Sequence, residues 1–327
     1  MQKRSFLMAA TATTLLNIAT QLHAQAWPTR PLRLVVPFPA GGPTDSFARI
    51  YAAAMSQQLG QAMVVENKAG ASGVLGSLEV KRASADGYTL LFGTATTHAL
   101  YNLIQPTAQF DSVEDFSHVA ALGGAPVAFA VSPNMPRTLK ALVIASKFNL
   151  GKYNYGSPGT GTLLHVAAER LKAVTGASLT HIPYKGAAPA LQDLIGGNIE
   201  MTVDTLGSLL PHHTSGRIRI LAVAAAKRLP LAPDVPTVAE SADLTKPFEA
   251  MLWNVVSTAR GTPPAVLQSL SEATRRVMVD PAVRSRLEAQ TMFVNLHAGH
   301  VASTAFIQSE RLKWKPVIET LGDLSST

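Results

Sequence analysis

The sequence predicts an α/β protein of two lobes with a ligand cleft between them. Three observations predict it. An apolar strand at Leu32 to Val36 runs into Pro37-Phe38-Pro39-Ala40-Gly41-Gly42-Pro43-Thr44-Asp45, and a helix follows to Leu59, stopped by Gly60. Far along the chain the device returns: Tyr153-Asn154-Tyr155 leads into Gly156-Ser157-Pro158-Gly159-Thr160-Gly161-Thr162 and a second helix. Between and after these turns, short apolar runs alternate with helical periodicity, which is the pattern of strands alternating with helices.

Each turn offers the same chemistry. Gly41 and Gly42 lack a Cβ, so the backbone can turn sharply and approach a bound atom. The first N–H groups of a helix have no intrahelical partner, and Thr44 is in place to cap them. A strand, a glycine turn and a bare helix start together form an anion site. Phe38, Ala40, Gly41, Gly42, Thr44 and Asp45 are the first set of candidate ligand contacts. Ser157, Gly159, Thr160, Gly161, Thr162 and His165 are the second.

The chain fills in the remainder in order. The first helix carries Phe47, Tyr51, Ala54, Met55 and Leu59 on one face, a core stripe. Met63 to Glu66 is a short strand, and Asn67 to Gly73 is a glycine-rich loop before a helix with Leu75, Leu78 and Val80. Tyr88 to Phe92 is a strand after the Asp86-Gly87 turn. Ligands gather at the C-terminal ends of strands in open α/β sheets, so Thr94, Thr97 and His98 join the candidates. Val119 to Leu122 and Val127 to Val131 are strands, the second entering the other lobe. Leu139 to Lys147 is a helix.

In lobe two, the helix from Thr162 carries Leu164, Ala167, Ala168, Leu171 and Val174 at helical spacing and ends at Gly176. Ser178 to Ile182 is a strand. Ala187 to Ile195 is a helix with Pro189 in its first turn. Ile199 to Val203 is a strand, and Asp204 at its end is a candidate partner for a ligand ammonium or hydroxyl, or else a cap for the next turn. Ile218 to Ala224 is another strand. Leu229 to Phe248 is punctuated by prolines and reads as irregular. Trp253 to Val256 is the last strand expected, and Pro264 to Val279, Pro281 to Gln290 and Ala302 to Leu321 are helical. The lobes divide as 27–126 with 252–327, and 127–251, so two segments cross between them and permit hinge closure.

Composition narrows the function. The chain has 327 residues, 47% apolar and 15% charged, as ordinary globular domains have. Its formal charge of +7 is scattered, with no basic run interleaved with aromatics to bind nucleic acid. There is no cysteine, which excludes disulfides, thiolate metal sites and a cysteine nucleophile. Lys3 and Arg4, an apolar run to Ala19 and Ala24-Gln25-Ala26 make residues 1–26 a cleavable Sec-type signal peptide. P-loop, G-x-S-x-G and H-E-x-x-H motifs are absent, and Leu164 stands where a dinucleotide fingerprint needs its third glycine. His212, His213, His297 and His300 lack metal-spaced partners. The residues point to no catalytic group, no metal and no cofactor, and to binding without catalysis.

Assembled, these stretches resemble a known family. Trp27 to Pro31, Pro37 to Asp45, Val65-Glu66-Asn67, Asp86 to Leu91, Tyr155 to His165, Pro183 to Gly186, Pro189-Ala190-Leu191, Pro233 to Thr237 and Gly261-Thr262-Pro263 are similar, in that order, to the substrate-binding proteins of tripartite tricarboxylate transporters, the Bug family. The resemblance covers essentially the whole mature chain. It implies a type II periplasmic binding-protein fold. It implies that the loops Phe38 to Asp45 and Ser157 to Thr162 hold a ligand carboxylate through backbone groups and ordered water. It implies a periplasmic, monomeric receptor for a dicarboxylate, tricarboxylate, amino acid or aromatic acid. Such a receptor delivers its ligand to integral membrane components of the transporter. A receptor of the same fold could instead signal to a membrane sensor, and the residues do not choose between the two. Asn254 and Arg260 depart from the family pattern and are expected to alter the cleft wall.

Overall fold

In the computed structural model, which describes residues 27–105 and 107–324, two half-sheets share one long strand. The expected signal peptide over residues 1–26 lies outside the described residues. In the first half-sheet β1 (Leu32–Val36) lies between β2 (Met63–Asn67) and β3 (Thr89–Thr94), all parallel. β9 (Met251–Ala259) comes back from the other half and pairs antiparallel with β3.

The shared strand is β4 (Phe116–Val131), buried along its whole length. From Phe116 to Pro126 it pairs with β9, and it also pairs with β10 (Phe293–Ala298). From Val127 to Val131 its partners change to β7 (Met201–Thr205) and β8 (Arg219–Val223). β5 (Asn154–Ser157) then lies parallel between β7 and β6 (Thr180–Pro183). Each half carries helices on its faces, so each is an α/β lobe, and the fold is that of type II periplasmic binding proteins.

Four expectations are corrected. Two strands were expected where β4 is one. Gly123 and Gly124 do not break it, because a Cβ at either position would lie about 2 Å from a carbonyl of β10 or β9. The glycines admit neighbouring backbone and bend the strand at a register shift. Trp253 to Val256 is not the last strand, since β10 follows it. The proline-rich stretch holds a short helix, Val238–Ser241, started by a capping box of Thr237 and Glu240. Val174 is 46% exposed, in the last turn of its helix.

Packing fixes where the helix starts point. In lobe one, Phe47, Tyr51 and Met55 of the Pro43–Leu59 helix are buried, with Phe47 edge-on to Phe92 of β3 at 5.4 Å. Each such side chain contributes about 2 kcal/mol by burial. The helix is thereby clamped to the sheet with its first turn beyond the C-terminal end of β1. Leu164, Ala167, Ala168 and Leu171 do the same for the Leu163–Thr175 helix in lobe two. Among the described residues no helix is long and apolar enough to cross a membrane.

Candidate functional site

The first glycine loop is shaped by one carboxylate. Gly41 sits at φ 82°, a left-handed conformation that favours glycine. Its amide donates to Asp45 Oδ2 at 3.0 Å, and Arg49 Nε donates to the same oxygen at 2.9 Å. Asn67 Nδ2 bridges Asp45 Oδ1 at 2.9 Å and the Phe38 carbonyl at 3.0 Å. Burial would raise the Asp45 pKa, but the bonds from Arg49, Gly41 and Asn67 outweigh it and hold the carboxyl below its ordinary value. Asp45 therefore braces the loop, with both carboxylate oxygens bonded to protein groups. Thr44 is not the cap. Gly42 is the N-cap, with Pro43 in the first position, and no side chain covers the helix start. The amides of Ala40, Gly42 and Thr44 have no acceptor among the described residues.

Histidines shape the second loop. Thr162 caps the helix, accepting from the His165 amide at 3.3 Å. Its own hydroxyl donates to the Gly159 carbonyl at 2.7 Å. The Gly161 amide donates to His165 Nδ1 at 3.0 Å, so the ring proton of His165 sits on Nε2. His165 is fully buried and stacks on His181 at 4.1 Å. Burial, then repulsion from His181 and Lys172, pushes its pKa down to about 3. His165 is thus a neutral prop beneath the loop. Ser157 is buried too, bonded to His181 Nε2 at 2.7 Å, and it accepts from the Gly159 amide at 3.2 Å. Gly159 and Gly161 therefore have their amides occupied within the loop.

Between the loops lies a cavity enclosing about 550 Å³ of non-protein space. Phe38, Ala40, Gly42 and Thr44 line it from the first loop, and Thr162 from the second. A third helix start joins them. Gly186, at φ 114°, caps the Ala187–Gly196 helix, and Gly186, Ala187, Ala188 and Pro189 line the same cavity. Sequence reading assigned that turn no role. Its glycine followed by a first-turn proline repeats the arrangement of Gly42-Pro43, which is the signal that was available. Among the described residues, no side chain bearing a full charge lines this cavity. Three helix dipoles, two of them at starts without a side-chain cap, are what it offers to an anion.

The lobes meet across the cavity. Ser72 Oγ donates to the Thr160 carbonyl at 2.7 Å, and the Leu163 amide donates to Thr96 Oγ1 at 3.0 Å. A Cβ on Gly186 would come within 3.0 Å of Pro39 Cγ. Thr160 and Gly161 face a neighbouring cavity that also includes Ser72 and Thr96.

Three other candidates are corrected. Thr94, Thr97 and His98 are at most 1% exposed. Thr97 Oγ1 accepts from the Thr94 amide at 3.0 Å and bonds His98 Nδ1 at 2.9 Å. They buttress the turn that presents Thr96, their neighbour, to the cleft. Asn254 and Arg260 do not shape the cleft wall. Asn254 Nδ2 donates to the Gly93 carbonyl at 3.3 Å inside the sheet, and Arg260 pairs with Glu114 on the surface at 2.9 Å. Asp204 is buried and lines a second, more polar cavity beside the first.

Comparison with known proteins places this geometry. Residues 47–323 match the model of the tripartite tricarboxylate transporter family receptor. The chain is 33% identical over 309 residues to the protein BugT of Bordetella pertussis, covering 94% of each chain. Two solved structures from Rhodopseudomonas palustris are similar. Rpa4515 with adipate has a TM-score of 0.86 at 33% identity, over 90% of this chain and 98% of that one. MatC with bound malate has a TM-score of 0.83 at 30% identity, over 89% and 99%.

Proposed function

The chain belongs to the tripartite tricarboxylate transporter receptor family, a family of solute-binding receptors, and from that premise we propose that it is an exported receptor for a small carboxylate. The observation that carries the reading is the convergence of three helix starts, two of them glycine-started and without a side-chain cap, on one interlobe cavity lined by no cationic side chain among the described residues. A carboxylate held by oriented amides needs no arginine. Water in the cavity can bridge what the amides do not reach, which suits a family with varied ligands. Malate and adipate in the similar structures support the class of ligand. In this reading Phe38, Ala40, Gly42, Thr44, Thr96, Thr162 and the Gly186 turn surround the bound acid. The lobes divide where β4 changes partners, near 126–127, and where β9 begins, near 251–252. The receptor works as a monomer, returns its ligand unchanged and hands it to integral membrane components of a transporter.

A thermal-shift screen of the mature chain against carboxylic acids tests this. A ligand at a hundredfold over its Kd adds about 2.7 kcal/mol of stability. Gly42 has extended backbone at φ −84°, and a Cβ there would meet only the Pro39 carbonyl at 3.7 Å. Gly42→Val therefore folds, but its branches crowd the helix start, and the shift is expected to vanish. Wild-type binding by Gly42→Val would rule the first loop out as the site.

A further inference from the structure

A second cavity, lined in part by Asp204, lies beside the first. It encloses about 840 Å³ of non-protein space and lies between the lobes. Pro43, Ala187 and Ala188 line both it and the first cavity, so the two adjoin at those residues. Its walls are polar: Ser46 and Gln290 come from lobe one, and Gln192, Ser208, His212 and Asp204 from lobe two. Asp204 is 2% exposed. Its Oδ1 accepts from the Thr205 amide at 2.7 Å, and the Ser208 hydroxyl is its other bonding partner. Among the described residues, no lysine or arginine acts on it.

We infer that Asp204 forms a second subsite that binds a cationic nitrogen of the ligand, so that the receptor prefers a zwitterion, an amino acid whose ammonium lies away from the bound carboxylate. This rests on the carboxylate reading above. A buried carboxylate without a counter-ion carries a desolvation cost of several kcal/mol, and an ammonium partner offsets it. A dicarboxylate instead sets a second negative charge toward Asp204, in a cleft whose two cavities contain no cationic side chain to absorb it. Burial raises the Asp204 pKa to about 7, so the group is half-protonated near neutrality and an arriving cation converts it to the charged form. The other titratable group facing the cavity is His212 on the Leu206–Thr214 helix. Its pKa is lowered, by burial and then by Arg217, and its buried Nδ1 has no partner. The lobe-one wall contributes Gly41, Pro43, Ser46, Gln290 and Met292, none of them titratable.

Calorimetric titration with ligands matched in length tests the inference. The probes are α- and ω-amino acids, diacids and unsubstituted monoacids of the same carbon counts. At one chain length or more, the amino acid is expected to bind at least tenfold tighter than both its diacid and its monoacid. Asp204→Asn, nearly isosteric, is expected to erase that advantage. Proton release gives a readout that needs no variant. Near pH 7 in two buffers of different ionisation enthalpy, binding of the amino acid releases protons from Asp204. A diacid that binds tightest, with proton uptake, overturns the inference, as does an amino-acid advantage that survives Asp204→Asn. Tight diacid binding that Gly42→Val still abolishes sinks the subsite alone. Binding of amines lacking a carboxylate, unaffected by Gly42→Val, sinks the carboxylate reading as well.

Discussion

The two glycine loops use one sequence device and opposite supports. An acid in the first turn of the helix holds the first loop. Asp45 takes the Gly41 amide, and Asn67 and Arg49 lock Asp45 in turn, while Ala40, Gly42 and Thr44 keep their amides open. Neutral bases hold the second from beneath. His165 and Ser157 take the Gly161 and Gly159 amides, and Thr162 closes the turn on itself. The first loop is therefore the better anion donor, and the second is the more internally satisfied. A glycine turn before a helix offers amides, and the side chains one turn on determine how many remain free for a ligand.

The largest test of this contrast is Asp45→Ala. It removes the acceptor for the Gly41 amide and for Asn67 Nδ2 in a site only 4% exposed. Losing a buried charged acceptor costs about 3 kcal/mol. Urea unfolding should show that loss, and calorimetry should show carboxylate affinity down more than tenfold. The pH dependence follows from the lowered pKa. Asp45 stabilises the fold fully above its unfolded value near 4, and that contribution fades as pH falls through the lower folded value. An Asp45→Ala protein with unchanged affinity would mean the brace is not what shapes the first loop.

A somewhat smaller effect separates the loops by pH. His165 has a folded pKa of about 3 against about 6.5 unfolded, so the unfolded chain binds the extra proton between these values. Its contribution is complete above pH 6.5 and declines as pH falls toward 3, by about 2 kcal/mol at pH 5. The second loop thus weakens on mild acidification, while the first holds until below pH 4. His118 and the more deeply buried His98 also have lowered pKa values and share the window, so the measurement is a difference. His165→Asn keeps an acceptor for the Gly161 amide and removes the titration. The stability gap between the variant and wild type, followed by urea unfolding from pH 7 to 4, should move in favour of the variant. A gap constant with pH would show that His165 is already charged or exposed.

Much of this architecture was legible in the sequence, and the failures have physical causes. Strands and helices separated cleanly because glycine, proline and caps mark their ends. β4 was divided because Gly123-Gly124 looks like a break from sequence alone, whereas its purpose is to admit the backbone of β9 and β10. β10 was missed because Asn295 and His297 interrupt its apolar pattern. At the site, both loops were visible from their glycines. A residue at a strand end can turn inward or outward, and sequence does not say which. Thr94, Thr97 and His98 turn inward, and Thr96 beside them faces the cleft. Asp45 and His165 were placed in the correct turns but given the ligand as partner, when each bonds a glycine amide of its own loop.

The smallest expected effect asks how the two loops act on each other. Among the described residues, two side-chain hydrogen bonds reach across from lobe one, from Ser72 and to Thr96, and both land on the second loop and its helix start. Among the described residues, the side-chain hydrogen bonds of the first loop stay within its own lobe. Closure is therefore recorded on the side whose amides are mostly occupied, leaving the first loop free to follow the ligand. Ser72 sits at φ 52° in a run of positive φ from Gly70 to Gly73. Alanine is no worse than serine in that conformation, so Ser72→Ala isolates the hydroxyl. One neutral hydrogen bond is worth about 1 kcal/mol, roughly fivefold. Because the bond exists only when the lobes meet, ligand release should quicken by up to that factor in stopped-flow measurements, with the association rate unchanged. A slower association with unaltered release would mean that Ser72 orders the open receptor instead, and the asymmetry between the loops would then precede closure.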